Sequence, residues 1–268
     1  MHWIIGDVHG MLEPLQALLD GVRQADPDPL LIFVGDYVNR GPNARGVVEL
    51  LLTLPNARFL RGNHDDVFGQ VLFGHCYCPN DAQGNRFLAL TWFMRYGLSN
   101  TLSSYGVDAA ELQELLDRPS PQRLEDVLAC VPEAHRRFIR HLEPVMEHRD
   151  FFVAHGRWEP EESDVQPAMC QRLADSARHR VNLLWGRFTE RQLVAHKAWR
   201  RTGYFGHTPV ECYLNLLPHA QLVAVRGPKI VLMDTGCAMG PLGRLTAYCH
   251  ETQSFIQASH YGKLIMQR

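Results

Sequence analysis

Residues 30–41, LLIFVGDYVNRG, decide the fold of this chain. A short apolar run ends there in a glycine and a polar residue, and the same pattern occurs at residues 2–7 (HWIIGD) and 58–63 (RFLRGN). The segments between these runs carry apolar residues at the i, i+3, i+4 spacing of an amphipathic helix. Strands that alternate with helices in this way predict right-handed βαβ units in a parallel sheet, and hence an α/β fold.

The three apolar runs end in polar side chains that could form a ligand site. Asp7, Asp36 and Asn63 each follow the last apolar residues of a run. The carboxyl ends of parallel strands share one edge of a sheet, and open α/β sheets bind ligands at that edge. We therefore expect these three residues to lie close together.

Composition describes an ordinary globular protein. The chain has 268 residues, of which 46% are hydrophobic and 21% charged, which excludes a disordered or collagen-like protein. The formal net charge of −2 predicts no stable binding to nucleic acid. The first residues lack the basic segment of a signal peptide, no apolar stretch is long enough to span a membrane, and seven scattered cysteines suit a reducing compartment. A cytoplasmic location is expected.

The rest of the chain predicts one domain, residues 1–268, with a helical insertion or cap at about 74–148. Pro42 could occupy the first turn of the helix after the second strand, and Thr189 with Gln192 predicts a capping box for a helix that runs to Trp199. Strands are then expected to return, and the closing Gly-Pro turns indicate that the last of them form an antiparallel sheet. The returning strands are expected at residues 150–154, 204–205, 222–225, 229–233, 245–248 and 255–258.

Five short motifs, each at the end of an expected strand, carry the chemistry of the chain. They offer carboxylate, amide and imidazole groups and no thiolate, a donor set that suits two divalent ions: manganese, iron or zinc, and magnesium less well. Asp36, central in the order, is the natural bridge between two ions. The motifs are GDVHG (6–10), GDYVNRG (35–41), GNHD (62–65), AHG (154–156) and FGHT (205–208).

These motifs, in this order, resemble those of the calcineurin-like metallophosphoesterases. The spelling of residues 35–42 is similar to the phosphoprotein phosphatase branch, which includes bacterial serine/threonine phosphatases and diadenosine tetraphosphatases. The resemblance covers residues 4–73 and about 150–247, with Leu183–Arg187 similar to the family's Trp-x-Arg and 233–236 to its Asp-Thr-Gly. Between these stretches, Tyr96-Gly97 and residues 101–106 (TLSSYG) are similar to bacterial phosphatases of this branch. It implies a sandwich of two mixed sheets flanked by helices.

The resemblance also implies a role for each motif residue. Asp7, His9 and Asp36 would hold one metal, and Asp36, Asn63, His155 and His207 the second. A metal-bridging hydroxide would attack phosphorus, Arg40 and Arg187 would grip the phosphoryl oxygens, and His64 would donate a proton to the leaving oxygen. The implied substrate is a phosphorylated protein or a nucleoside polyphosphate.

Asn39 departs from the pattern, because the protein phosphatases have an aspartate there that orients the histidine. An amide oxygen at Asn39 could accept a hydrogen bond from the His64 ring and fix its tautomer, but it would stabilise an imidazolium less well; Asp65 or Asp66 could substitute for the missing carboxylate. Tyr96-Gly97 favours a protein phosphatase, whereas Asn39 favours the tetraphosphatase. A catalytically inert phosphate-binding or scaffolding module is a third alternative, and the sequence predicts no oligomeric state.

Overall fold

The described residues of the computed structural model form two mixed sheets packed face to face. They are residues 1–80, 82, 84–158, 172, 174, 176–195, 200–216 and 222–266. The first sheet has the strand order β11-β10-β9-β1-β2-β3, with β1 at His2–Ile5, β2 at Leu30–Phe33, β3 at Ala57–Phe59, β9 at Arg244–Cys249, β10 at Phe255–Ser259 and β11 at Leu264–Met266. The second has the order β4-β5-β6-β8-β7, with β4 at Val145–Glu147, β5 at Phe151–Ala154, β6 at Thr202–Phe205, β7 at Val225–Gly227 and β8 at Ile230–Leu232.

Each sheet has a parallel centre, as the alternation of strands and helices predicted for the first. Strands β1, β2 and β3 pair in parallel, with Ile4 opposite Ile32 and Phe33 opposite Phe59. In the second sheet β5, β6 and β8 are parallel. The antiparallel strands lie outside these centres: β9, β10 and β11 on one sheet, and β4 and β7 at the edges of the other.

Alternating side chains of the strands divide the core into layers. On β1, Ile4 joins the core between the sheets, whereas Trp3 and Ile5 face the outer helical layer. On β5, Phe151 and Val153 face inward and Phe152 packs on the outer side. Both faces of each central strand are therefore buried, which explains why the strands appear in the sequence as continuous apolar runs.

Helices cover both outer faces. They are α1 at Leu12–Ala25, α2 at Ala44–Leu51, α3 at Asn63–Phe73, α4 at Arg86–Met94, α5 at Leu98–Ser104, α6 at Ala109–Asp117, α7 at Pro121–Leu128, α8 at Glu133–Arg140, α9 at Ala177–Trp185 and α10 at Glu190–Val194, with a 3-10 helix at Val210–Leu216. Across the described ranges, no helix is both long and apolar enough to cross a lipid bilayer.

Three local predictions were wrong. Pro42 precedes the first turn of α2, because the Asn43 side chain caps that helix by accepting from the Gly46 N–H. The capping box at Thr189 is present, but α10 ends at Val194, because Ala195 has an extended backbone. Residues 196–199 of the expected helix lie outside the described residues. The strand expected at 222–225 begins only at Val225, where pairing with β8 starts.

Two strands were not expected from the sequence. The strand β4 lies within the segment 74–148 that was predicted to be helical; in the described residues the last helix of this segment ends at Arg140. The strand β11 follows the last expected strand. Both have three residues, too few to show a period of two, and they are defined by their pairing with β5 and β10.

Candidate active site

The expected ligand residues meet at one edge of the sandwich, beyond the carboxyl ends of the parallel strands. Contacts across this edge join the two sheets: the His207 N–H donates to Asp7 Oδ2 at 2.9 Å, and His155 Nδ1 donates to the Val34 carbonyl at 2.9 Å. The six predicted ligands are all buried: Asp7, His9, Asp36, Asn63, His155 and His207.

Asp36 lies at the centre of the site. Its Oδ2 is 3.5 Å from His9 Nε2 and 3.4 Å from His155 Nε2. Its Oδ1 accepts a hydrogen bond from the backbone N–H of His64 at 2.9 Å. Two groups have ligand atoms within 4.8 Å of one another: His9, Asp36 and His64 form one, and Asp7, Asp36 and His155 the other. Asp36 belongs to both, which is the position that a bridging carboxylate requires.

In three histidines, one ring nitrogen faces away from the site and contacts a backbone carbonyl, which orients the other ring nitrogen toward the site. His9 Nδ1 lies 3.0 Å from the Val38 carbonyl, His155 Nδ1 2.9 Å from that of Val34, and His207 Nε2 3.2 Å from that of Trp185. A carbonyl only accepts, so each of these nitrogens donates to it in the tautomer that carries the proton there, and in that neutral ring the opposite nitrogen turns a lone pair toward the site. This backbone support is typical of metal-binding histidines.

Acceptor atoms converge at the site, so a cation fits it. Asn63 Oδ1 lies 3.0 Å from His155 Nε2 and 2.9 Å from His207 Nδ1. Asp7 Oδ1 is buried and has no hydrogen-bond partner among the residues that the structure describes. Such groups are unfavourable unless positive charge lies between them. Their oxygen and nitrogen atoms suit divalent manganese, iron or zinc.

The electrostatics of the site also favour a cation. Burial opposes a charge on His155, but Asp36, followed by Asp7 and Asp65, outweighs it and raises the pKa of His155 to about 9. Burial also raises the pKa of Asp7 well above its usual value, whereas it lowers the pKa of His9 to about 4. The carboxylates thus attract positive charge, and a divalent ion would compete with the proton on His155.

Strained backbone is concentrated at this edge. In the described part of the chain seven residues other than glycine have a positive φ, and five of them belong to the site: His9 (48°), Asp36 (57°), Asn39 (69°), Arg40 (65°) and His207 (66°). Each costs on the order of 1–2 kcal/mol and persists only because surrounding contacts hold it. The hydrogen bonds of the site therefore maintain its geometry.

Two glycines of the motifs allow close approach to the carboxylates. A Cβ atom on Gly62 would lie 2.0 Å from Asp36 Oδ1, and one on Gly206 would lie 2.2 Å from Asp7 Oδ1. Neither glycine has a positive φ, so the requirement at both positions is space.

A small cavity of about 90 Å³ opens above the ligand residues. Arg40, Arg187 and His64 line it together with Asp36, Asn63, His207, Phe93, Tyr96 and Trp185. The Nε of Arg40 is buried without a hydrogen-bond partner within the described ranges. The cavity thus combines guanidinium donors with the ligand cluster, which is the arrangement that an anionic phosphoryl group needs.

Asn39 contacts His64, but its amide is turned opposite to our expectation. Asn39 Nδ2 lies 3.0 Å from His64 Nδ1, so the amide nitrogen donates to the ring and the amide oxygen does not accept from it. Neither neighbouring aspartate replaces the missing carboxylate. Asp65 accepts the backbone N–H groups of residues 36, 37 and 62, and Asp66 accepts those of 77 and 78 and pairs with Arg61.

Helix α5 and the glycine before it support the site, a role that the sequence did not reveal. Asn100 Nδ2 donates to the Arg40 carbonyl at 2.6 Å, and the Asn39 N–H donates to Thr101 Oγ1 at 2.8 Å. A Cβ on Gly97 would lie 2.4 Å from the Arg40 nitrogen. These contacts hold the strained pair Asn39-Arg40, and they join residues about 60 positions apart in the sequence.

We expect Gly97→Ala to lower the free energy of unfolding by more than about 2 kcal/mol, because alanine adds a clash with Arg40 to the cost of a positive φ. Gly106→Ala is the matched control: Gly106 also has a positive φ, 98°, but a Cβ there would meet nothing within 4 Å. Urea denaturation of both variants measures the difference. Equal losses would show that Gly97 has no contact requirement of its own.

Comparison with known proteins identifies the family. Residues 3–165, more than half of the chain, match the calcineurin-like phosphoesterase family. The chain belongs to the calcineurin-like phosphoesterase family. This confirms the resemblance inferred from the motifs, and the two mixed sheets flanked by helices confirm the predicted fold.

Individual relatives match over shorter stretches. The chain is 41% identical over 73 residues to a symmetrical bis(5'-nucleosyl)-tetraphosphatase of Legionella pneumophila, covering 27% of this chain and 26% of the relative. It is 39% identical over 80 residues to the enzyme of that name from Coxiella burnetii, covering 30% and 27%. The matched stretch is thus about a quarter of the length of these curated relatives.

A solved structure supports the phosphoesterase fold over nearly the whole chain. The crystal structure of a protein provisionally assigned as a diadenosine tetraphosphatase superposes with a TM-score of 0.51. The two are 20% identical, and the match covers 96% of this chain and 92% of the other. At this identity the likeness concerns the fold alone.

Proposed function

We propose that this phosphoesterase is a hydrolase that cleaves phosphate esters or anhydrides with two divalent metal ions, manganese first among them. The observation that carries the proposal is the convergence of acceptor atoms around Asp36 and Asn63, beneath a cavity lined by two arginines. Asp7, His9 and Asp36 would hold one ion, and Asp36, Asn63, His155 and His207 the other. The bound ions would supply Lewis-acid activation of water and neutralise charge on the phosphoryl group.

The chain's own residues orient the substrate around this centre. Arg40 and Arg187 would bind the phosphoryl oxygens, where planar guanidinium groups provide paired donors. His64 lines the same cavity and would contact the leaving oxygen. Burial lowers the pKa of His64 to about 3, so its ring is neutral at physiological pH.

A neutral His64 favours substrates whose leaving group needs no proton. A phosphate leaves as a stable anion from a phosphoanhydride, whereas the alkoxide of serine requires protonation. The proposed natural substrate is therefore a nucleoside polyphosphate, the class named in the matched relatives. A phosphoprotein is the second candidate, because the Tyr96-Gly97 motif favours a protein phosphatase. The glycine of this motif packs on the backbone of Arg40, at the edge of the site.

Arg40 also borders room for a larger substrate. A second cavity of about 390 Å³ is lined by Arg40 and by residues that include Met11, His260 and Tyr261. Tyr261 is 66% exposed, so its ring is accessible to a partner such as a nucleobase.

We also propose a cytoplasmic location, a reducing compartment in which cysteines stay free. The six cysteines in the described ranges are free.

The test is a substrate panel with product identification on manganese-loaded protein. Diadenosine tetraphosphate, an aryl phosphate and a phosphoserine peptide are compared at equal concentration. We expect the first two to be hydrolysed at least about 10-fold faster than the peptide, because protonation of a leaving group contributes about 10²–10⁴-fold where it is needed. Faster turnover of the peptide would favour the phosphoprotein, and no hydrolysis of any of the three would refute the proposed function.

A further inference from the structure

Thr101 makes two hydrogen bonds to Asn39, and together they fix its amide. The Thr101 hydroxyl oxygen accepts from the Asn39 N–H at 2.8 Å, and the hydroxyl proton is donated to Asn39 Oδ1 at 2.9 Å. Both residues are buried, with Thr101 and Asn39 each 0% exposed. With Oδ1 committed to Thr101, the amide nitrogen of Asn39 is the group that faces His64.

This orientation determines where the proton of His64 lies. An amide nitrogen only donates, so His64 Nδ1, 3.0 Å from Asn39 Nδ2, must offer a lone pair. In a neutral imidazole the proton then resides on Nε2. The carboxylate found at this position in the protein phosphatases only accepts, and it would require the proton on Nδ1.

We propose that Thr101 is a positioning residue that, through the Asn39 amide, holds His64 as the neutral tautomer with its proton on Nε2. In this form His64 donates a hydrogen bond to the leaving oxygen but does not transfer its proton, because transfer would leave an imidazolate. Helix α5, which carries Thr101, thereby sets the range of leaving groups. This consequence for catalysis rests on the proposed function, whereas the tautomer itself does not.

The tautomer can be measured without any substrate. In protein labelled with ¹⁵N-histidine and free of added metal, long-range ¹H–¹⁵N correlation spectra distinguish a protonated ring nitrogen from one with a lone pair. The loss of one signal set in His64→Gln assigns the resonances. We expect Nε2 protonated and Nδ1 unprotonated in the wild type, and a protonated Nδ1 in Asn39→Asp.

Variants at Thr101 test its positioning role. Thr101→Val keeps the shape but removes both hydrogen bonds, so we expect the His64 signals to shift toward a mixture of tautomers. Thr101→Ser restores the hydroxyl, and we expect it to restore the wild-type signals; it also shows whether the loss in Thr101→Val is more than a packing defect. A wild-type His64 protonated on Nδ1, or a tautomer unchanged in Thr101→Val, would overturn the proposal.

Leaving-group dependence gives a second readout. In Asn39→Asp we expect kcat for the phosphoserine peptide to rise about 10-fold relative to kcat for the aryl phosphate, because an imidazolium paired with a carboxylate can protonate an alkoxide. An unchanged ratio in a variant whose Nδ1 is protonated would overturn the role in leaving-group choice. If the spectra are as expected and no substrate is hydrolysed, the tautomer stands and the proposed function fails.

Discussion

Replacing Asp36 with asparagine is expected to lower kcat for an aryl phosphate by about 10³-fold or more, equivalent to about 4 kcal/mol of transition-state stabilisation. Asp36 Oδ2 faces both His9 and His155, and the amide would present either a neutral oxygen or a donor at that point. The charge that attracts two cations would be lost, although the volume of the side chain is nearly unchanged. Steady-state kinetics and metal content per chain measure the effect.

Asp20→Asn serves as the control for this substitution. The Asp20 side chain is 69% exposed and interacts with Arg23 at 3.5 Å on the surface of α1, so the same chemical change there should leave kcat within a factor of two. If Asp36→Asn retains the wild-type kcat and metal content, Asp36 is not the bridging ligand.

Substituting Gly62 with alanine is expected to reduce metal affinity and kcat/KM by about 10²-fold or more. The added Cβ would lie 2.0 Å from Asp36 Oδ1 and 2.4 Å from the Asp36 nitrogen, which no rotamer can relieve. Because Gly62 has φ −93° and ψ 169°, alanine accepts its backbone conformation, and the loss would arise from displacement of Asp36. Isothermal titration with Mn²⁺ and activity assays report it.

Gly69→Ala provides a matched comparison in the adjacent helix α3. Its Cβ would meet Ile139 at 3.5 Å, an ordinary van der Waals contact, and alanine is favoured over glycine inside a helix. We expect this variant to keep wild-type metal affinity and to gain about 0.5–1 kcal/mol in unfolding free energy. Wild-type affinity in Gly62→Ala as well would contradict the requirement for space beside Asp36.

The sequence predicted those parts of the site that depend on short segments. Asp7, Asp36 and Asn63 each follow an apolar run, and the parallel sheet brings their strand ends together without further information. His155 and His207 follow β5 and β6 in the same way. Whether these residues act as the proposed ligands remains a prediction, although the structure places them within contact of one another.

What the sequence could not predict depends on contacts between distant segments. The direction of the Asn39 amide follows from Thr101, 62 positions away. Thr101 begins the segment 101–106 that is similar to bacterial phosphatases, but nothing in that segment indicates that the threonine contacts Asn39. The left-handed backbone at Asn39 and Arg40 is likewise held by α5. Two of the supporting residues do lie in motifs of the sequence: Gly97 in Tyr96-Gly97, and Asp65 in residues 62–65. A glycine or an aspartate in a motif does not reveal which residue it contacts, here the backbone of Arg40 and the N–H of Asp36.

The chain has 14 histidines, and their number alone does not indicate which of them lie at the site. His135 exchanges a hydrogen bond with the Tyr105 hydroxyl at 2.9 Å, and His250 with that of Tyr204 at 2.8 Å. Both lie outside the candidate site, and they pack against aromatic rings. Position after a strand separated the candidate ligands from these residues, whereas composition did not.

We propose that two metal ions share Asp36 at the centre of the site. Crystals of the protein grown with Mn²⁺ and measured at the manganese absorption edge test it most directly, because the anomalous difference density at that edge is dominated by manganese and locates each ion. We predict two peaks, one on either side of Asp36 Oδ2, the first bordered by His9 and the second by Asn63, His155 and His207. A single peak, or manganese bound away from Asp36, would contradict a centre of two ions that share Asp36.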